Sequence, residues 1–105
     1  MDIQINTDTN IQGHEKLAAH VRGVVEDAVS RFAQRITRIE VHLTDQNAEK
    51  SGREDKRCLI EARLEGRHPT AVHHDAATLD EAVHGAAAKM ERSIASTLER
   101  VEPRR

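Results

Sequence analysis

Apolar residues along this chain switch between two spacings, every second position and every third or fourth. The order of those switches constrains the fold more than any other feature. In "DIQINT", Ile3 and Ile5 alternate with Gln4 and Asn6, the period of a strand with one covered face. In "HEKLAAHVRGVVEDAVSRFAQR", Leu17, Val21, Val24, Val25, Ala28 and Phe32 fall along one helical stripe. "TRIEVHLTD" returns to period two, with Ile39, Val41 and Leu43 on one face and Arg38, Glu40, His42 and Thr44 on the other. "RCLIEARLE" repeats the pattern with Cys58, Ile60, Ala62 and Leu64 inward, Glu61, Arg63 and Glu65 outward, and Leu59 as the misfit. "TAVHH" is a shorter strand that turns Thr70, Val72 and His74 inward.

A second helix closes the series, from Thr78 to Arg100. Thr78 and Glu81 have capping-box spacing, in which each side chain satisfies an orphan amide of the first turn. Leu79, Val83, Ala86, Met90, Ile94, Thr97, Leu98 and Val101 form its apolar stripe, and Pro103 stops it before a short tail at 103–105. Between strands, "GRHP" predicts a tight connection, whereas the polar segment 46–56, "QNAEKSGREDK", predicts a solvated loop. Gly23 interrupts the first helix at a cost of up to ~1 kcal/mol relative to alanine, which close packing there would explain. The order β-α-β-β-β-α predicts an α+β fold. It is a two-layer sandwich with two amphipathic helices on one face of a four-stranded sheet and Glu40, His42, Glu61, Arg63 and His73 on the open face.

At 105 residues the chain is expected to form one domain, residues 1–105, able to bury roughly two-thirds of its unfolded surface. Its only aromatic residue is Phe32, so no aromatic platform exists on which unpaired bases could stack. No segment approaches the ~18 apolar residues of a membrane span, and "MDIQINTDTN" does not read as a signal peptide. The single cysteine, Cys58, supports no internal disulfide framework, so a cytoplasmic setting is expected. The seven histidines do not form a ligand pattern. His73 and His74 are adjacent on a strand and point apart, while His14 and His20 are six apart on a helix. Cys58 sits at an inward strand position, and no phosphate loop or Ser-x-x-Lys pair is present. No catalytic residue, metal site, cofactor or small-molecule substrate is therefore expected.

What stands out is basic charge in an acidic chain. Net charge is −2, yet residues 31–38 hold Arg31, Arg35 and Arg38 without an acid. The last helix carries Lys89, Arg92, Ser96 and Arg100 at three- and four-residue spacing. Spacing alone leaves two readings open. The charges can be a solvated surface that complements the helix macrodipoles, or a positive face built by two neighbouring helices that sits on phosphates.

Two segments tilt this balance. "LAAHVRGVVEDAVSRFAQRITRIEVHL" and "HHDAATLDEAVHGAAAKMERSI", together with the element order and the length, resemble the short ribosome hibernation-promoting factors. These are also called ribosomal subunit interface proteins, of the sigma-54 modulation protein type. Asp75, Ala82-Val83, Lys89-Met90, Arg92 and Ile94 stand at the places where that family shows an acid, a small-apolar pair, Lys-Leu and an Arg or Gln-Leu. The resemblance implies a fold related to double-stranded RNA-binding domains. It also implies binding to the small ribosomal subunit in the mRNA and tRNA channel, through Lys and Arg on the helices, in stress or stationary phase. The residues it points to are Lys89 and Arg92, and helical spacing adds Arg31, Arg35 and Arg100 in support. Short forms help ribosomes pair into inactive dimers, and the chain is expected to lack the additional carboxy-terminal domain of the long form. It departs from the family at Asp27 and Val24, at commonly basic places on the first helix, and at Asp80, His84 and Ser96 on the second. An alternative therefore stays open: a relative with weakened RNA affinity, acting as a protein-protein or stress-associated module. Self-association is left open as well.

Overall fold

The computed structural model describes residues 1–8, 14–45 and 56–101, with His14, Arg100 and Val101 described by their backbone alone. Along the chain run β1 (Asp2–Thr7), α1 (His14–Val29), a 3₁₀ segment (Ser30–Arg35), β2 (Ile36–Asp45), β3 (Lys56–Leu64), β4 (Thr70–Ala76) and α2 (Leu79–Val101). Lys56 already belongs to β3, while the rest of the loop expected at 46–56 and the tail at 103–105 lie outside the described residues.

The four strands lie in the order β1-β2-β3-β4. The expected antiparallel meander of β2, β3 and β4 is present, and β1 adds to it parallel to β2. A parallel neighbour needs a crossover, and α1 supplies it. The register sets Ile3 against Ile39, Val41 against Ile60, and Leu43 against Cys58, so the inward residues of adjacent strands meet on one face. Both helices cover that face. Val21, Val25, Val29, Val83, Met90 and Ile94 are fully enclosed together with Ile39, Val41 and Ile60. The result is the two-layer α+β sandwich.

The first helix departs from its expected form. It ends as an α-helix at Val29, and residues 30–35 wind more tightly. The apolar spacing explains the change. Val21, Val25 and Val29 step by four, but the next buried residue, Phe32, comes after three, which is the 3₁₀ repeat. Val29 is completely buried, while Val24 and Ala28, which the stripe included, are only partly covered. Strand β4 extends past "TAVHH" to the buried Ala76. Thr70, Val72 and His74 face inward but stay half-buried, because β4 is an edge strand.

Glycine serves two positions. Gly66 has φ of +73° in the β3–β4 turn, where the Arg67 amide donates to the Leu64 carbonyl at 3.0 Å. Gly85 lets α2 approach β4, since a Cβ there would fall 2.1 Å from Cδ2 of His74. Gly23 serves no comparable contact, because nothing among the described residues lies within 4 Å of where its Cβ would stand.

Candidate nucleic-acid interface

Helix α2 begins as its sequence dictates, with the Glu81 amide donating to Thr78 Oγ1 at 3.1 Å. Its buried stripe then fixes where every polar residue points. Asp80 and Glu91 fall toward α1, where Asp80 Oδ1 lies 2.8 Å from His20 Nε2 and Glu91 takes a charged hydrogen bond from Arg31 Nη2. Both contacts join residues sixty apart in sequence. The two helices therefore run in the same direction, and their carboxy-terminal halves lie at the same end of the layer. Arg31 and Arg35, in the 3₁₀ segment that follows α1, and Arg92, just past the middle of α2, lie toward that end, while Lys89 falls just before the middle of α2.

The expected cations differ in their surroundings. Arg92 and Arg35 are exposed, and their side chains have no ion pair or hydrogen bond among the described residues. Arg31 is 64% exposed, so its charge reaches solvent, but Glu91 offsets part of it. Its guanidinium also lies 4.4 Å from the centroid of the Phe32 ring, a cation–π contact that holds the side chain over the 3₁₀ segment. Lys89 lies on the opposite flank, where its Nζ donates to the carbonyl oxygen of His73 at 2.9 Å. That carbonyl belongs to the edge strand, so Lys89 caps an open edge with one of its three donors, and the other two have no partner among the described residues. Arg22 does the same at the other edge, reaching the Ile3 carbonyl at 3.4 Å. Arg100 lies in α2, and its side chain falls outside the described residues.

The five residues thus do not form one unbroken strip. Arg31 and Arg35 stand on the α1 side, Arg92 faces outward, Lys89 leans to β4, and Glu91 interrupts them. The amino-terminal parts of the layer are different in character. Asp80 and Glu81 are exposed there in the first turn of α2, near His20 and His84, while Glu26 and Asp27 are exposed toward the end of α1. The His20 hydrogen bond, with both nearby imidazoles, holds the Asp80 carboxyl below its ordinary range. The start of α2 is acidic, Glu26 and Asp27 stand near the end of α1, and the cations Arg31 and Arg35 follow them in the 3₁₀ segment.

Cys58 is fully enclosed, and burial pushes its thiol up to about 12, which removes the thiolate that nucleophilic chemistry needs. On the open sheet face, Arg57 grips Asp75 through two hydrogen bonds of 2.7 and 3.1 Å, and Arg38 pairs with Glu40 at 2.8 Å. Arg38 and Arg63 are opposed across β2 and β3. The same register brings Glu61 beside Glu40 and His42. This group is assembled from two strands, so histidine spacing within one element does not disclose it. The signal available was Glu40 and His42 two apart on one strand face; the third member required the register.

The family model described as "Sigma 54 modulation protein / S30EA ribosomal protein" matches residues 3–102, nearly the whole chain. Comparison of the sequence with curated proteins returns no match. Among solved structures, the Protein Y N-terminal domain of Thermus thermophilus superposes with a TM-score of 0.72 at 18% identity, covering 92% of this chain and 99% of that one. A ribosomal subunit interface protein from Coxiella burnetii superposes with a TM-score of 0.67 at 14% identity, covering 92% and 97%. At such identities the structural likeness speaks for the fold, and the family model speaks for descent. The chain belongs to the sigma 54 modulation protein / S30EA ribosomal protein family.

Proposed function

We propose that this chain is a cytoplasmic, non-enzymatic translation-silencing factor. In this reading it seats the basic end of its helix pair on ribosomal RNA of the small subunit, in the channel used by mRNA and tRNA, when cells are under stress or stationary. One domain spanning residues 1–105 acts as the binding unit. The observation that carries the reading is the parallel helix pair, which gathers Arg31, Arg35 and Arg92 at one end of the layer in a chain of net charge −2. The family match supports a ribosomal partner. With Phe32 buried and no other aromatic in the chain, affinity comes from phosphate contacts and shape rather than from stacked bases.

A second reading has its own observation. Glu91 offsets Arg31, and Glu26 and Asp27 are exposed on α1, which favours a relative with weakened RNA affinity that docks on protein instead. Co-sedimentation with purified small subunits between about 50 and 200 mM salt separates the two. Phosphate-driven binding falls steeply over that range, by tenfold or more per few contacts. Binding that persists unchanged across it supports the protein-docking alternative.

A further inference from the structure

The open face of the sheet carries side chains that the helix-borne cations leave unused. Glu40 and Glu61 are directly opposite one another in the antiparallel register of β2 and β3. Two carboxylates so placed repel, and the pair destabilises the sheet unless positive charge lies between them. His42 follows two residues along β2 on the same face. Its Nε2 lies 3.5 Å from Glu40 Oε1 and 3.7 Å from Glu61 Oε1. One ligand atom from each of the three residues lies within 4.8 Å of the others. A tetrahedral ion with bonds of about 2.0–2.2 Å to nitrogen and oxygen holds neighbouring ligand atoms roughly 3.3–3.6 Å apart. The histidine–carboxylate distances are close to that already, and small rotations of the glutamate side chains bring the carboxylates to it.

Two further features favour a held ion over a chance grouping. Arg38 Nη2 sits 2.8 Å from Glu40 Oε2, which turns the other oxygen of that carboxylate toward His42. Outer partners of this kind orient metal ligands and sharpen affinity. The three residues also stand on the two interior strands, whose register is fixed by a buried face beneath. All three remain partly accessible, so an ion can enter.

We propose that Glu40, His42 and Glu61 bind one divalent transition ion of the zinc type, through His42 Nε2 and an oxygen from each glutamate, with the remaining position open to solvent. The site lies on the face opposite the helices, so it stands or falls independently of ribosome binding. The test is calorimetric titration of zinc chloride into the untagged full chain in a non-chelating buffer. One ion per chain is expected, with affinity reduced about tenfold or more in Glu61→Gln and in His42→Ala. Replacing both His20 and His84 by alanine should leave affinity unchanged. Long-range proton–nitrogen spectra should show His42 Nε2, not Nδ1, shifting with zinc. Near-isosteric Glu61→Gln keeps the fold, and the same spectra confirm it. Absence of saturable binding, or binding that survives Glu61→Gln and His42→Ala but is lost with His20 and His84, overturns the proposal.

Discussion

Two glycines on the helices show how much single positions differ. Gly85 faces the His74 ring so closely that an alanine there must displace it. Adding a methyl where packing is tight costs ~1–3 kcal/mol, against up to ~1 kcal/mol regained from helix propensity. Gly85→Ala should therefore destabilise the protein by roughly 1–2 kcal/mol. Gly23 has open space around it, so Gly23→Ala should stabilise by up to ~1 kcal/mol. Urea denaturation of the two variants checks both signs. A sequence shows the two glycines alike, each inside a helical stripe. Only the neighbouring strand separates them, because His74 comes under Gly85 through the β4–α2 packing and nothing comes under Gly23. Lys89 teaches the same lesson. Its spacing made it a surface charge, and the fold adds a hydrogen bond to the edge strand that no spacing discloses.

At the scale of elements, the alternation in β2 and β3 was legible almost residue by residue, because a buried face demands period two and Ile39, Val41, Leu43, Ile60 and Leu64 supply it. The capped start of α2 was legible for a similarly local reason. The end of α1 was not. A stripe drawn with a fixed helical repeat favours Val24 and Ala28 and passes over Val29, since the switch to 3₁₀ winding is imposed by where Phe32 must enter the core. The strength of the shared core is itself testable. Met90 and Ile60 are fully enclosed from opposite layers, so Met90→Ala or Ile60→Ala should each cost ~2–5 kcal/mol in chemical denaturation. Across β3 and β4, the Arg57–Asp75 pair makes a pH-dependent contribution. The Arg57 hydrogen bonds hold the Asp75 carboxyl below its ordinary range. Its stabilisation is therefore complete above the unfolded carboxyl's value, near ~3.9, and is lost as pH falls through the lower folded value. Between pH 5 and 3 the melting temperature of Asp75→Asn should fall less than that of the wild type.

For the whole molecule, direction matters more than net charge. A total of −2 argues against a nucleic-acid binder, yet two helices that run the same way bring Arg31 and Arg35, which follow α1, toward the same end of the layer as Arg92 of α2. That grouping depends on the tertiary pairing of His20 with Asp80 and Arg31 with Glu91, so the sequence showed the cations and concealed how they are grouped. It also concealed that they are divided among the α1 side, the outer surface and the β4 flank. Arg35 and Arg92 are the informative pair, because neither side chain is engaged elsewhere among the described residues and reversing them leaves the core and both sheet edges untouched. The most direct measurement is sedimentation of the Arg35→Glu, Arg92→Glu variant with purified small ribosomal subunits across a salt series, beside the wild type. The variant should fold normally and bind more weakly, with the slope of log affinity against log salt reduced by about one unit for each lost phosphate contact. Wild-type affinity and an unchanged slope in that variant would contradict the assignment of this end of the helix pair to ribosomal RNA.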